Sequence, residues 1–265
     1  MPNSLIFIEG LKKEYRTDLL KPITTALKGI TLRIPEGQVF GIVGRNGAGK
    51  STLLKTVMGL IRPSGGKVLI NGHEPSSAVS REDIGFLPEH PCLYPNLTVW
   101  DHLCFVGKVH QMSRNEVKER GAEILERVQL SDAAGMPVRK FSKGMVQRAA
   151  LACALLPDPA ILILDEPMSG LDPMGRKLVL DLISENRKRG KTILFCSHIL
   201  NDVERICHRI GILEKGELVR IIESEELNST GYPGETGSEA ADGNYLTSLE
   251  REFMKVVQGK EAVSL

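Results

Sequence analysis

The chain has 265 residues, of which 42% are apolar and 25% charged, and its net charge is +1. This suits one large globular domain or one domain with appendages, and it gives no sign of bulk attraction to nucleic acid or an anionic membrane. The longest apolar run, residues 149–156, stops at Pro157, far short of the about 18 residues that a membrane-spanning helix needs.

Cys92, Cys104, Cys153, Cys196 and Cys207 are odd in number and scattered, with no C-x-x-C pair. Reduced thiols are therefore expected. Residues 1–4 show no charged-then-apolar leader pattern, which fits a cytoplasmic protein.

Residues 5–9 and 29–34 read as strands. Between them, Lys12-Lys13-Glu14-Tyr15-Arg16 reads as a basic loop with one aromatic. Tyr15 is either a surface tyrosine or a platform that stacks on adenine.

A turn at Pro35-Glu36-Gly37 leads into the apolar run 39–43, read as a buried strand. It enters Gly44-Arg45-Asn46-Gly47-Ala48-Gly49-Lys50-Ser51-Thr52, which contains G-x-x-x-x-G-K-S, the phosphate-binding P-loop pattern. Glycines at 44, 47 and 49 allow positive φ and clear side chains from the inner wall. Backbone N–H groups can then surround a phosphate, and the helix continuing through Leu53, Leu54, Val57 and Met58 aims its positive N-terminus there. Lys50 supplies charge for the outer phosphates, Ser51 a hydroxyl for Mg²⁺, and Thr52 a further phosphate contact.

Residues 67–71 and 84–87 read as short strands. After Pro88-Glu89-His90-Pro91 comes a helical section. Thr98 and Asp101 form one cap, and Ser113-Arg114-Asn115-Glu116 is a capping box. Leu93, Tyr94 and Trp100 follow Glu89 closely and either pack this section or line a groove.

Phe141-Ser142-Lys143-Gly144-Met145 opens an Ala/Leu-rich helix that ends at Pro157. The apolar run 160–164 suits a strand buried on both faces. It ends in Asp165-Glu166-Pro167, and Ser169-Gly170-Leu171-Asp172-Pro173 is a turn. An amphipathic helix over 175–189, a strand over 192–196 ending at Ser197-His198, and a helix near 199–207 follow. Residues 210–213 and 217–222 read as paired strands around Lys215-Gly216. The stretch 228–243 is rich in Gly, Ser, Thr and Glu, which reads as a linker. Thr247 and Glu250 cap a last helix with Leu249, Phe253, Val256 and Val257 as its apolar stripe.

Behind a P-loop, an acid at the end of an apolar strand holds Mg²⁺, which assigns Asp165. The adjacent Glu166 can act as general base toward water. His198, at another strand end, is either structural or orients that water near the γ-phosphate.

Taken in order, these residues resemble the ATP-binding subunit of ABC transporters over roughly residues 4–223. Gly44–Thr52 resembles Walker A, Glu89 stands at the Q-loop position, and Phe141–Met145 resembles the signature motif. Residues 161–166 resemble Walker B, 169–172 the D-loop, and His198 the switch histidine. Tyr15 stands where the family's adenine-stacking aromatic sits.

The resemblance implies an α/β P-loop NTPase fold of ABC type, with a RecA-like core, an antiparallel β subdomain and a helical subdomain at about 90–156. It implies an ATPase domain over 1–223 and a C-terminal helix and tail over 247–265, and composition makes 224–246 between them a flexible linker. It further implies ATP and Mg²⁺ as cofactors, with Ser51, Glu89 and Asp165 near the metal and Lys50, Glu166 and His198 catalytic. Two subunits, identical or different, would stack head to tail. Ser142 and Gly144 of one would then meet the nucleotide held by Walker A of the other, a second helix start suited to an anion. The expected partner is a permease on a separate chain, which would place the protein peripherally on the inner face of the cell membrane.

The chain departs from the family pattern at Lys143 (glycine), Met145 (glutamine) and Glu89 (glutamine). Lys143 either adds charge toward the partner's phosphates or faces solvent. The competing reading is a soluble ABC ATPase in DNA repair or translation. No coiled-coil arms and only one cassette are present to support it.

Overall fold

The computed structural model describes residues 4–16, 23–229 and 247–259. Strand β1 (Ser4–Tyr15) pairs antiparallel with β2 (Thr24–Pro35). Strand β3 (Val39–Val43) enters the P-loop, and helix α1 (Lys50–Val57) leaves it. Strand β4 (Gly65–Ile70), the short helix α2 (Ala78–Glu82) and strand β5 (Ile84–Leu87) follow. The helical lobe comprises α3 (Val99–Val109), α4 (Arg114–Arg127) and α5 (Lys143–Leu155). Then come β6 (Ile161–Asp165), α6 (Pro173–Lys188), β7 (Thr192–Ser197) and α7 (Leu200–Ile206). The chain continues through β8 (Arg209–Glu214), β9 (Glu217–Glu223), α8 (Ser224–Ser229) and α9 (Ser248–Val257).

Two sheets result. The smaller has the order β2-β1-β4 and is antiparallel; the larger has the order β5-β6-β7-β3-β8-β9. In the larger sheet only β9 runs antiparallel to its neighbour. Strands β3, β6 and β7 are buried along their whole length, as continuous apolar runs require in a parallel sheet covered on both faces. The alternation of side chains divides the core. Val39, Val43, Leu162, Leu164, Ile193 and Phe195 pack toward the helices. Phe40, Ile42, Ile161, Ile163, Leu194 and Cys196 pack toward α1 and the smaller sheet.

Register places the functional ends together. Val43 pairs with Ser197, and Asp165 with Cys196. The P-loop, the Asp165-Glu166 pair and His198 therefore leave the carboxyl ends of adjacent strands, where ligands bind in open α/β sheets.

Several elements differ from the sequence reading. Lys12–Tyr15 is not a loop, because β1 continues through it, with register shifts near Leu11 and Glu14. Pairing with β2 supports these charged residues although their strand propensity is low. Residues 224–229 are not linker but helix α8, anchored by the buried Leu227 and with Glu225 and Glu226 in the first turn. The rest of the proposed linker, 230–246, and the tail, 260–265, lie outside the described residues. Trp100 is a packing residue: a Cβ on Gly121 would lie 3.0 Å from its ring. Leu93 also packs on the core, whereas Tyr94 is 70% exposed.

The local capping chemistry appears as read, with complete boxes at Thr98/Asp101, Ser113/Glu116 and Thr247/Glu250. Helix α9 docks on the domain through buried Leu249 and Val256, with Phe253 half-buried beside them. All five cysteines are free.

Candidate functional site

The P-loop depends on two glycines in different ways. Gly49 caps α1 with φ 110° and ψ 3°, a backbone state that side chains disfavour, and a Cβ there would sit 2.7 Å from the Ala26 carbonyl oxygen. Gly44 packs so closely that a Cβ would lie 2.4 Å from the Leu213 carbonyl oxygen. Lys50 is buried, and its ammonium donates to the Gly44 carbonyl at 2.7 Å and the Arg45 carbonyl at 3.4 Å.

An open cleft of about 390 Å³ lies over this loop. Its walls include Arg45, Asn46, Gly47, Gly49, Lys50, Ser51 and Thr52 from the loop and helix, with Glu89, Glu166 and His198 facing them. Ala26 of β2 also lines it; nothing in an alanine's chemistry marks it in the sequence. Gly44 and Ala48 support the loop from behind, Ala48 being buried and accepting from the Gly216 N–H at 2.9 Å.

Glu166 sits at the centre of the polar contacts. Its backbone takes φ 49°, unusual for a residue with a side chain, and is tied by its N–H to the Cys196 carbonyl at 3.0 Å. The carboxylate is buried. Oε2 lies 2.7 Å from His198 Nδ1 and accepts from the His198 backbone N–H at 3.3 Å, while Oε1 is 3.7 Å from the Lys50 ammonium. With a carboxylate as acceptor, Nδ1 carries the imidazole proton, which leaves Nε2 for other contacts.

Asp165 lies just below, almost fully buried. Burial raises its pKa above the usual carboxylate value, the Ser51 hydroxyl hydrogen bond opposes this, and the charges of Glu89 and Glu166 push it further up, with Lys55 opposing. Its Oδ1 is buried with no hydrogen-bond partner among the described residues. A buried, orphaned carboxylate oxygen beside a serine hydroxyl fits a hard divalent cation. Among the described residues no group of three or more His, Cys, Asp or Glu could hold a metal. A cation here would complete its shell from phosphate and water oxygens, as Mg²⁺ does.

Other sequence candidates lie apart from the cleft. Ser142 caps α5, its hydroxyl accepting from the Met145 N–H at 3.2 Å, and it is exposed. Gly144 packs near Leu171. Neither lines the cleft of its own chain. Lys143 is exposed, its stem lying on Gly170, and Met145 packs against the core. Tyr15 ends β1, with the Lys13 ammonium 4.9 Å from its ring centre.

Gln147 has a role the sequence reading missed. It is buried in α5, and its amide lies 3.5 Å from the Glu166 carbonyl and 3.4 Å from the Pro167 carbonyl. The signal for it was one amide within an otherwise Ala/Leu-rich buried stripe, since buried polar groups require partners.

The sequence model of the family described as ABC transporter matches residues 27–169. An uncharacterized ABC transporter ATP-binding protein of Nostoc sp. (strain PCC 7120) is 41% identical over 94% of this chain and 76% of that protein. The linearmycin resistance ATP-binding protein LnrL of Bacillus subtilis (strain 168) is 36% identical over 83% of this chain and 70% of that protein. A solved dimeric ATP-binding cassette, in a post-hydrolysis state bound to ADP and Pi, matches with a TM-score of 0.76 at 28% identity. That match covers 83% of this chain and 98% of the solved one. The P-loop cleft, the acid pair and these likenesses agree: the chain belongs to the ABC transporter family, as an ATP-binding, ATP-hydrolysing subunit.

Proposed function

We propose that this chain hydrolyses Mg²⁺-ATP at the P-loop cleft only when a second subunit stacks head to tail upon it, and so powers a permease on a separate chain. Subunits of this family dimerise and act with a membrane permease. Among the described residues no helix is long and apolar enough to cross a membrane; membership of a transporter family supports peripheral attachment to the inner face of the cell membrane through the permease.

One observation carries the catalytic reading: the Glu166 carboxylate is held between His198 and Lys50 in the cleft wall. Glu166 accepts a proton from the attacking water, His198 fixes the carboxylate, and Lys50 contacts the outer phosphates. Ser51, Asp165 and Glu89 would hold Mg²⁺, which supplies charge neutralisation on the phosphates. Loop N–H groups of Gly44, Gly47, Ala48 and Gly49, with Arg45, Asn46 and Thr52 beside them, cradle the phosphate chain. Adenine stacking on Tyr15 would compete with the Lys13 ammonium over its ring.

Ser142 and Gly144 lie outside their own cleft, which supports a role on the partner's nucleotide. The exposed Tyr94, with Phe105 and Val109 of α3, offers an apolar surface on the helical lobe for the permease.

Glu166→Gln tests the base. The variant should keep ATP affinity, lose on the order of 10²- to 10⁴-fold in turnover, and accumulate an ATP-bound dimer. Normal turnover in that variant would overturn the assignment.

A further inference from the structure

Glu166 and His198 stand on two different connections. One runs through residues 167–172 into α6, and the other leads directly into α7. The two are tied at the sheet edge, where the Glu166 N–H meets the Cys196 carbonyl at 3.0 Å. Beyond that edge, among the described residues, no backbone–backbone hydrogen bond joins them.

The two residues also meet directly, Glu166 Oε2 lying 2.7 Å from His198 Nδ1 and accepting from the His198 backbone N–H at 3.3 Å, and the next tie after these is ionic. Arg176, in the first turn of α6, places a guanidinium N–H 2.8 Å from Oδ2 of Asp202, in the first turn of α7. The Asp202 side chain is 9% exposed and that of Arg176 36%. Arg176 is itself anchored, since its backbone N–H donates at 2.9 Å to the carbonyl of Asp172, whose carboxylate caps α6. Helix α7 has only seven residues and no side-chain cap at its N-terminus. A helix that short is not held in place by its own hydrogen bonds. Its position depends on what it packs against: buried Val203 and Ile206, and the Asp202 ion pair.

We propose that Arg176 and Asp202 form a cross-brace between α6 and α7 that sets the separation of Glu166 and His198. Both are positioning residues for ATP hydrolysis, an inference that rests on the reading of Glu166 as the base. Neither residue lines the cleft, so the effect passes through the helices and not through nucleotide contact. Small displacements matter here, because a misplacement of about 1 Å can cost on the order of 10²-fold in rate. A second tie, from the Arg187 guanidinium to the Ile206 carbonyl at 3.1 Å, joins the far ends of the same helices. It provides a control that also joins α6 to α7, through a backbone carbonyl and away from the site.

The test is steady-state ATPase kinetics of the full chain. Asp202→Asn keeps the shape and removes the charge, and Arg176→Gln alters the more exposed end of the pair. Each should lower kcat about tenfold while leaving KM and ATP affinity within about twofold. In a His198→Ala background neither should lower kcat further, because the brace acts through that residue. Arg187→Gln should leave kcat unchanged. Unchanged kcat in both brace variants, loss of ATP affinity in place of kcat, or a multiplicative loss on top of His198→Ala would each overturn the proposal. Glu166→Gln run alongside separates the two readings. Normal turnover there overturns the base assignment, whereas lost turnover there with an unaffected Asp202→Asn overturns the brace alone.

Discussion

Replacing His198 by alanine removes one of two hydrogen bonds to Oε2 of Glu166. The Nδ1 hydrogen bond at 2.7 Å disappears, while the backbone N–H at 3.3 Å and the Lys50 ammonium, 3.7 Å from Oε1, remain. A hydrogen bond to a charged group contributes about 1.5–3 kcal/mol. The imidazole is 56% exposed, and water takes over part of the role, so the low end of that range, about 1.5–2 kcal/mol, applies. At about 1.36 kcal/mol per tenfold, kcat should fall roughly 13- to 30-fold. ATP affinity should hold, because the P-loop contacts are untouched. The assay is phosphate release under saturating ATP, with binding of a fluorescent ATP analogue measured in parallel. His198→Gln, whose amide can donate to Oε2, should recover part of the rate. A kcat within about twofold of the parent, or an affinity loss as large as the rate loss, would refute the idea that His198 acts by holding Glu166.

His208 makes stability depend on pH. Its Nδ1 accepts from the Val39 N–H at 2.9 Å, and burial, helped by Arg187, holds its pKa below the usual 6.5. The folded state therefore binds fewer protons than the unfolded state between that lowered value and about 6.5, so stability present above 6.5 is lost as pH falls through this window. Thermal unfolding from pH 7 to 5 should show that loss, and His208→Asn should flatten it; an unchanged slope would contradict the assignment. Tyr94→Ala combined with Phe105→Ala should abolish co-purification of the permease from membranes while leaving basal ATPase activity intact. Retained co-purification would remove the helical lobe's apolar surface as the docking site.

What was legible in the sequence is what residue type and local spacing determine. The P-loop is one such case, because at Gly49 the backbone and the Ala26 carbonyl leave no space for a side chain. The capping boxes are another, since each is closed within four residues. Asp165 and Glu166 could be placed because the fully apolar strand before them leaves few alternatives to an end at the ligand face. What the sequence concealed depends on pairing at a distance. Lys12–Tyr15 became strand because β2 and β4 offer partners, and 224–229 became helix because Leu227 finds a buried site. The strained φ of Glu166, the Gln147 amide beneath it and the Arg176–Asp202 pair all join elements far apart in the chain. Apart from the single amide of Gln147 in its Ala/Leu-rich stripe, no local pattern of residues announces them.

The central claim is that each nucleotide site is shared between two chains, and complementation tests it most directly. A Lys50→Ala chain and a Gly144→Asp chain should each be inactive alone. Mixed in equal amounts, they should regain about a quarter of the parent ATPase rate, since about half the dimers are mixed and each of those keeps one complete site. A mixture no more active than its components would contradict the account.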